Sequence, residues 1–253
     1  SIRPRITDGS PIRYSNGRNY AIHKRRPLKF RPGLSMSHIA VIDYGSSNLR
    51  SVSKALEAVA LPGQKVRVTN DPKIIRDCDR AVFPGQGAIG DCMNQLKQLD
   101  LIESIKHCIA SKPFLGICLG LQSLMTYSDE NNGIDCLNIF SGNVKRFVRS
   151  NNRTSLEKIP HMGWNQVHWT DSHFLTRGIP SGSYFYFVHS YFVDTSSPKI
   201  IASSTKYIQE FTSAVSQDNV FATQFHPEKS AKNGLTFLTN FVKWDANSAN
   251  LTD

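Results

Sequence analysis

Short apolar runs alternate with stretches of helical periodicity from residue 38 onward. Residues 39–43 are apolar up to the final aspartate, which is typical of a strand buried on both faces of a sheet. Leucine and valine recur at helical spacing over residues 48–60, and a longer helical pattern covers residues 91–110. Further strands are predicted at residues 65–69, 80–84 and 113–117. Alternation of strands and helices with short connections indicates a parallel sheet covered by helices.

The pattern changes beyond residue 138, where shorter β-like runs follow one another. They lie at residues 142–148, 165–168, 184–188, 200–204 and 220–225. A last helix is predicted at residues 230–244, and no internal repeat is present. We therefore predict one α/β domain over residues 37–253, with a mostly parallel central sheet flanked by helices and a partly antiparallel second half.

Residues 1–36 differ from the rest of the chain in charge. They carry nine basic side chains and one acidic side chain, whereas residues 37–253 carry 21 basic and 19 acidic ones. The net charge of +10 is therefore concentrated in this segment, and a basic face for nucleic acid is not expected in the domain. Because proline and glycine interrupt the segment and no hydrophobic periodicity is present, we expect a disordered leader. It could be sequence upstream of a start at Met36, an organelle transit peptide, or an electrostatic tail for polyanions.

The composition of the chain is that of a globular protein with its own core. Hydrophobic residues make up 40% of the 253 residues and charged residues 20%. No run of about 18 apolar residues is present, so no membrane span is predicted. The five cysteines include no CxxC pair, which disfavours a disulfide framework or a zinc site and favours a reducing, cytoplasmic compartment.

The sharpest local feature is the pentapeptide Gly116-Ile117-Cys118-Leu119-Gly120, where a predicted strand meets a predicted helix. A nucleophile on such a tight turn is pushed out of the sheet, and small neighbours let the backbone bend. The start of a helix favours thiolate over thiol, and the next backbone N–H points where an oxyanion would form. The alternative interpretation is a buried structural cysteine at a glycine-rich strand end.

A base for this cysteine is offered by Gln224-Phe225-His226-Pro227-Glu228, which overlaps the end of an apolar run. Proline biases His226 toward extended geometry, in which His226 and Glu228 project to the same side. The carboxylate can then hold the imidazole in one tautomer while the other ring nitrogen faces the thiol. Alone, the segment could be a surface turn; together with Cys118 it favours nucleophilic catalysis.

The loop Pro84-Gly85-Gln86-Gly87-Ala88 could add an oxyanion donor or be an ordinary turn.

Together these motifs resemble the class I (triad) glutamine amidotransferases. Two segments carry that resemblance: Gly116-Ile117-Cys118-Leu119-Gly120-Leu121-Gln122 and His226-Pro227-Glu228. Further segments narrow it to the glutaminase subunits of imidazole glycerol phosphate synthases. They are Asp43-Tyr44-Gly45 with Asn48-Leu49-Arg50, Pro160-His161-Met162-Gly163-Trp164-Asn165, Phe187-Val188-His189-Ser190-Tyr191 and His226-Pro227-Glu228-Lys229-Ser230. The resemblance covers about residues 38–244 and implies the flavodoxin-like fold of that family.

The resemblance implies a role for each matching residue. Cys118 would attack the side-chain amide of glutamine, His226 would transfer protons, and Glu228 would orient the imidazole. Gln122 would contact the substrate, and Glu130 would hold its α-amino group. No cofactor and no metal are expected.

The resemblance also implies an oxyanion hole and a partner protein. Gln86, Gly87 and the N–H of Leu119 would form the hole. A (β/α)8-barrel cyclase subunit, to which ammonia passes for histidine biosynthesis, would form a heterodimer with the chain through Pro160, His161, Met162, Gly163, Trp164 and Asn165. The chain departs from the family pattern at Gln86, where valine is usual, and at Ser46-Ser47, where methionine and glycine are usual.

Two other functions remain open from the sequence. A paralogous amidotransferase could feed ammonia to a synthase for a surface-polysaccharide sugar, anthranilate or guanylate. A non-catalytic protein could use the basic leader to bind polyanions, although an intact Cys118, His226 and Glu228 argue against it. His161 and His189 are expected to support the site or the interface.

Overall fold

The secondary structure follows the predicted alternation of strands and helices. A computed structural model of the chain describes residues 37–149 and 158–245, so the expectations for residues 1–36 lie outside the described residues. The strands are β1 (Ser37–Ile42), β2 (Gln64–Thr69), β3 (Arg80–Gly85), β4 (Phe114–Cys118), β5 (Tyr127–Ser128), β6 (Ile134–Asp135), β7 (Gly142–Arg146), β8 (His161–Trp169), β9 (Ser183–His189), β10 (Tyr191–Thr195), β11 (Ile201–Lys206), β12 (Glu210–Gln217) and β13 (Val220–Thr223). The helices are α1 (Leu49–Val59), α2 (Pro72–Asp77), α3 (Ile89–Gln98), α4 (Ile102–Ser111), α5 (Leu119–Gln122) and α6 (Ala231–Lys243). None of the described helices is long and apolar enough to cross a membrane.

The central sheet is parallel, and the strands added to it are mostly antiparallel. Every neighbouring pair in the order β2-β1-β3-β4-β13 is parallel. The sheet continues antiparallel through β12, β10 and β7, and reaches β5 and β6 at its far end. A branch leaves β12 through β11 to the two-stranded ribbon of β8 and β9. The predicted α/β fold with a parallel centre and a partly antiparallel second half is confirmed.

Alternate residues of the central strands face two layers of core. In β1, Ala40 and Ile42 pack on the face covered by α3 and α4, whereas Ile39 and Val41 pack on the face covered by α1 and α6. All four side chains are buried, which explains why residues 39–42 are an unbroken apolar run. Burying a valine or isoleucine side chain stabilises the fold by about 1.5–3 kcal/mol.

The single helix predicted over residues 91–110 is wrong, because the structure has two helices there. Asp100 has a φ of 53°, in the left-handed region that ends helices. Its N–H donates to the carbonyl of Lys97, and the N–H of Leu101 donates to the carbonyl of Leu96. This is a Schellman ending with aspartate where glycine is usual. The apolar spacing continues through the break, so the periodicity alone did not reveal it.

Candidate active site

Cys118 ends β4 in a backbone conformation that is rare for residues other than glycine. Its φ is 55° and its ψ is −105°, and α5 begins at the next residue. A Cβ on Gly120 would lie 1.9 Å from the carbonyl oxygen of Phe83, and one on Gly116 would lie 2.9 Å from the Cβ of Ala222. Both glycines are therefore required by close packing, as expected for a nucleophile elbow. The strained turn projects Cys118 from the end of the parallel sheet.

His226 and Glu228 form a buried pair. The Nδ1 of His226 lies 2.8 Å from the Oε1 of Glu228, and both side chains are inaccessible to solvent. The backbone N–H of His226 donates to the carbonyl of Tyr186, and its own carbonyl accepts from the hydroxyl of Ser230. The carboxylate therefore fixes the Nδ1–H tautomer in the neutral ring, while the backbone is held from two sides.

Cys118 and His226 influence each other electrostatically. Burial by itself would lower the pKa of His226, but the Cys118 thiolate and the Glu228 carboxylate hold that pKa above its ordinary value. The Nε2 of His226 is buried and is the ring nitrogen left for Cys118, because Glu228 holds the Nδ1. The arrangement favours an imidazolium beside a thiolate, which is the reactive form of a cysteine nucleophile.

The glycine loop begins beside Cys118. Gly85 is in register with Cys118 across the parallel β3–β4 pair, so residues 84–88 leave the sheet next to the nucleophile. Gly87 has a φ of 99°, although a Cβ there would meet nothing within 4 Å. Conformation, not space, requires glycine at this position. The side-chain carbonyl of Gln86 accepts a hydrogen bond from the hydroxyl of Ser47 at 3.2 Å, so the departures from the family pattern contact each other.

Comparison with known proteins identifies the family. The family model "Glutamine amidotransferase class-I" matches residues 40–244. The chain is 53% identical over 212 residues to "Imidazole glycerol phosphate synthase subunit HisH" of Nitrosococcus oceani, covering 83% of this chain and 99% of that protein. A protein of the same name from Nitrosomonas europaea is also 53% identical over 212 residues, with the same coverage. The chain belongs to the class-I glutamine amidotransferase family.

Solved structures support the fold of this amidotransferase. PurLQS from Thermotoga maritima superposes with a TM-score of 0.62 at 16% identity, covering 83% of this chain and 99% of that chain. The glutaminase domain of CTPS from Trypanosoma brucei gives a TM-score of 0.57 at 18% identity, covering 83% of this chain and 95% of that chain. At these identities the likeness concerns the fold alone.

The two substrate-binding residues expected in the amidotransferase occupy different environments. Gln122 is buried, and its Nε2 donates to the carbonyl of Tyr191 and to the Oε1 of Gln224, each at 2.9 Å. A substrate contact by Gln122 would therefore have to use its carbonyl oxygen. Glu130 is partly buried, and its Oε2 accepts from the N–H of Ile89 at 3.0 Å. Desolvation raises the pKa of this carboxyl, against the effect of that N–H.

Strand alternation divides the six predicted interface residues of the amidotransferase between two faces of β8. Met162 and Trp164 project outward, with 62% and 51% of their surfaces exposed, and Pro160 before the strand is also exposed. His161 is buried on the opposite face, where the ring of Tyr207 stacks on it. Gly163 and Asn165 share that inward face and are half-buried.

Sequence reasoning missed two residues of the site. The Nε2 of Gln224 lies 3.5 Å from the Sγ of Cys118. Its position two residues before His226 at a strand end was the available signal, because alternate residues face the same side. Gly234 in α6 was also missed: a Cβ there would lie 1.9 Å from the carbonyl oxygen of Pro227, between the two acid–base residues. Periodicity gives no sign of such a close approach.

Proposed function

We propose that this chain is the glutaminase subunit of an imidazole glycerol phosphate synthase. It hydrolyses glutamine to glutamate and passes the ammonia to a (β/α)8-barrel cyclase subunit in histidine biosynthesis. The observation that carries the glutaminase chemistry is the buried His226–Glu228 pair next to Cys118 on its strained turn. The choice of acceptor is supported by the 53% identity to synthase subunits over 99% of their length.

The reaction begins with the Cys118 thiolate. Its sulfur attacks the side-chain carbonyl carbon of glutamine, and the electron pair of the C=O bond moves to the oxygen. Protonated His226 then gives its proton to the leaving nitrogen, the C–N bond breaks, and ammonia departs from a γ-glutamyl thioester. His226 next takes a proton from water, whose oxygen attacks the thioester and releases glutamate and the thiolate. Glu228 holds the ring in the tautomer that both steps need.

The transient oxyanion needs hydrogen-bond donors beside Cys118. The N–H of Leu119 is available by position, because the first N–H groups of a helix have no intrahelical partner. The Gln86-Gly87 peptide lies in the loop that begins in register with Cys118. Each such donor contributes roughly 10²–10³ to the rate. The side chain of Gln86, where valine is usual, accepts a hydrogen bond from Ser47, which connects this loop to the segment after β1.

Glu130 suits the α-amino group of glutamine. Its carboxylate is partly desolvated, and no lysine, arginine or histidine within residues 37–149 and 158–245 forms an ion pair with it. An ammonium group arriving beside it would stabilise the charged carboxylate. Glu130 also accepts a hydrogen bond from the N–H of Ile89, the first residue of α3 after the glycine loop. The same carboxylate would therefore bind the substrate and hold the end of that loop.

The outer face of the β8–β9 ribbon is the proposed docking surface for the cyclase subunit. Met162, Trp164 and Tyr184 are more than half exposed, and Trp164 packs edge-on against Tyr186 across the ribbon. Exposed apolar patches with aromatic residues are typical of protein interfaces. The carbonyl of Tyr186 also accepts the backbone N–H of His226, so the surface lies directly beside the site that would release ammonia.

The chemistry is tested by substituting Cys118 in the complex with its cyclase. Cys118→Ala should abolish glutamine-dependent synthesis yet leave synthesis from ammonium salts at high pH, because the sulfur is needed only to liberate ammonia. Cys136→Ala is the matched control, since Cys136 is a partly exposed cysteine outside the site. His226→Ala should be equally severe and Glu228→Gln milder. Glutamine hydrolysis that survives in Cys118→Ala would refute the proposed nucleophile.

The partner is tested separately by titrating purified cyclase. Trp164→Ala should weaken the complex at least tenfold, since buried tryptophans dominate interface energies. Leu235→Ala removes an exposed leucine from α6 and should leave the affinity unchanged. Equal affinities for the two variants would exclude the ribbon as the docking surface, and binding to a different synthase alone would exclude the acceptor assignment.

A further inference from the structure

Gln224 contacts the nucleophile directly. Its Nε2 lies 3.5 Å from the Sγ of Cys118, its side chain is fully buried, and its backbone N–H donates to the carbonyl of Ser213. An N–H donated to an anionic acceptor is stronger than one donated to a neutral acceptor. The contact therefore favours the sulfur as thiolate, independently of His226.

The amide of Gln224 can point its nitrogen at the sulfur only if its oxygen is held elsewhere. That oxygen accepts from the Nε2 of Gln122 at 2.9 Å. The second hydrogen of the same Nε2 goes to the carbonyl of Tyr191, also at 2.9 Å. A backbone carbonyl can only accept, so it fixes which end of the Gln122 amide faces Gln224. The orientation of both side chains follows from that one carbonyl.

The Tyr191 carbonyl is also the end of a histidine chain. It accepts from the Nδ1 of His189 at 2.8 Å, so the Nε2 of His189 is an acceptor. The Nδ1 of His161, 3.0 Å away, must then donate to it. The Nε2 of His161 accepts from the Nδ2 of Asn165 at 3.2 Å, and that nitrogen also donates to the carbonyl of Lys206. The carbonyls of Tyr191 and Lys206 at the two ends of this chain thus fix which ring nitrogen of His161 and of His189 donates and which accepts.

His161 and His189 stay neutral in this chain of hydrogen bonds. Burial lowers the pKa of His161 to about 4 and that of His189 to about 3. A second proton on His189 would put two donors face to face at its 3.0 Å contact with His161, and a second proton on His161 would do so at its 3.2 Å contact with Asn165. The direction of the chain is therefore the same throughout the neutral pH range.

The geometry points to Gln224 as a further residue of the active site that stabilises the Cys118 thiolate, and to Gln122, oriented by the Tyr191 carbonyl that also accepts from His189, as the positioning residue that holds its amide in that orientation. This inference rests on the proposed role of Cys118 as the nucleophile. It explains why the Nε2 of Gln122 is engaged inside the protein, away from a substrate.

The test follows alkylation of Cys118 by iodoacetamide as a function of pH, in the full chain, by mass spectrometry of the Cys118 peptide. Gln224→Met keeps the side-chain length and removes the donor. The pH of half-maximal alkylation should rise by roughly one to two units, the effect of losing a hydrogen bond to a charged group. Gln217→Met, the same change at an exposed end of β12, should leave the profile unchanged.

A second variant separates orientation from contact. Gln122→Met leaves Gln224 in place but frees its amide to turn, so a smaller upward shift is expected. Should either variant fail to fold, the unaltered protein provides the measurement: the side-chain amide protons of Gln224 should shift in an NMR titration at the same pH as alkylation begins. An unchanged profile in a folded Gln224→Met variant, or a Gln224 amide that does not respond, would overturn the inference.

The readout does not require turnover, so the two proposals fail differently. A wild-type alkylation profile in Gln224→Met, with glutaminase lost in Cys118→Ala, would refute the role of Gln224 alone. A shifted alkylation profile in Gln224→Met, with glutaminase activity retained in Cys118→Ala, would refute Cys118 as the nucleophile. Gln224 would then only contact a thiolate that takes no part in the reaction.

Discussion

Gly234 allows α6 to approach the segment that carries the acid–base pair. A Cβ at this position would lie 1.9 Å from the carbonyl oxygen of Pro227 and 2.9 Å from the Cβ of Ser230. In Gly234→Ala the two backbones would have to separate by about 1.5 Å to reach ordinary contact. Either α6 leaves its place in the core or the segment between His226 and Glu228 moves.

Both movements have a cost that can be estimated. Helix α6 buries Phe237, Leu238 and Phe241 completely, so displacing it disrupts close packing. Overpacking costs about 1–3 kcal/mol, and alanine regains about 1 kcal/mol over glycine in a helix. We expect a net loss of up to about 2 kcal/mol in the free energy of unfolding. A displacement of about 1 Å at His226 would also lower kcat/KM by roughly 10²-fold.

The assays are urea unfolding and glutaminase turnover in the presence of the cyclase. Gly90→Ala is the matched control: it is also a helical glycine, but its nearest neighbour to a new Cβ is 3.5 Å away. That variant should be stabilised by about 0.5–1 kcal/mol. A Gly234→Ala protein as stable and as active as Gly90→Ala would show that the close approach places no constraint on the site.

Three further predictions follow from charge, backbone conformation and the extent of the domain. Burial lowers the pKa values of His161 and His189, so below about pH 6.5 these two side chains bind protons in the unfolded protein but not in the folded protein. The free energy of unfolding should therefore fall by about 1.4 kcal/mol per pH unit for each histidine as the pH is lowered. Urea titrations between pH 7 and pH 4.5 measure this slope, which should decrease in His161→Asn. Asp100→Gly should raise stability by about 0.5–1 kcal/mol, because glycine adopts the positive φ of that position without strain, whereas Asp77→Gly at the end of α2 should lower it. Removal of residues 1–36 should leave thermal stability and partnered glutaminase activity unchanged, because the family match begins at residue 40; a large loss of either would show that the leader belongs to the domain.

The centre of the parallel half could be predicted because most residues of β1, β3 and β4 are buried on both faces. Residues 39–42 of β1 and all of β4 are continuous apolar runs, and the turn at Cys118 carries its two glycines on either side. The strand β12 was missed for the opposite reason. Residues 212 and 213 are threonine and serine, yet both are buried, and the hydroxyl of Ser213 is 2.8 Å from that of Ser203. Small polar residues that satisfy each other across strands leave no hydrophobic pattern.

The partners of the site residues could not be predicted because they depend on contacts between distant segments. Gln224 and Gln122 are 102 residues apart in the chain, and His161 and His189 are 28 apart. Spacing within a motif can place His226 and Glu228 on one side of an extended segment, but it carries no information about which carbonyl orients an amide. Those assignments require the register of the antiparallel strands.

The nucleophile and the backbone carbonyls that orient its neighbours lie in different halves of the sheet. Cys118 ends a strand of the parallel centre, whereas the carbonyls that fix the other groups belong to the antiparallel additions: Tyr186 in β9, Tyr191 in β10 and Lys206 in β11. Because protein interiors are close-packed, a shift of β8 or β9 would change those hydrogen bonds before it changed the strained turn at Cys118. On the role proposed for Gln224, the antiparallel half therefore orients the groups around the nucleophile, and its exposed ribbon is the surface on which the proposed partner would act.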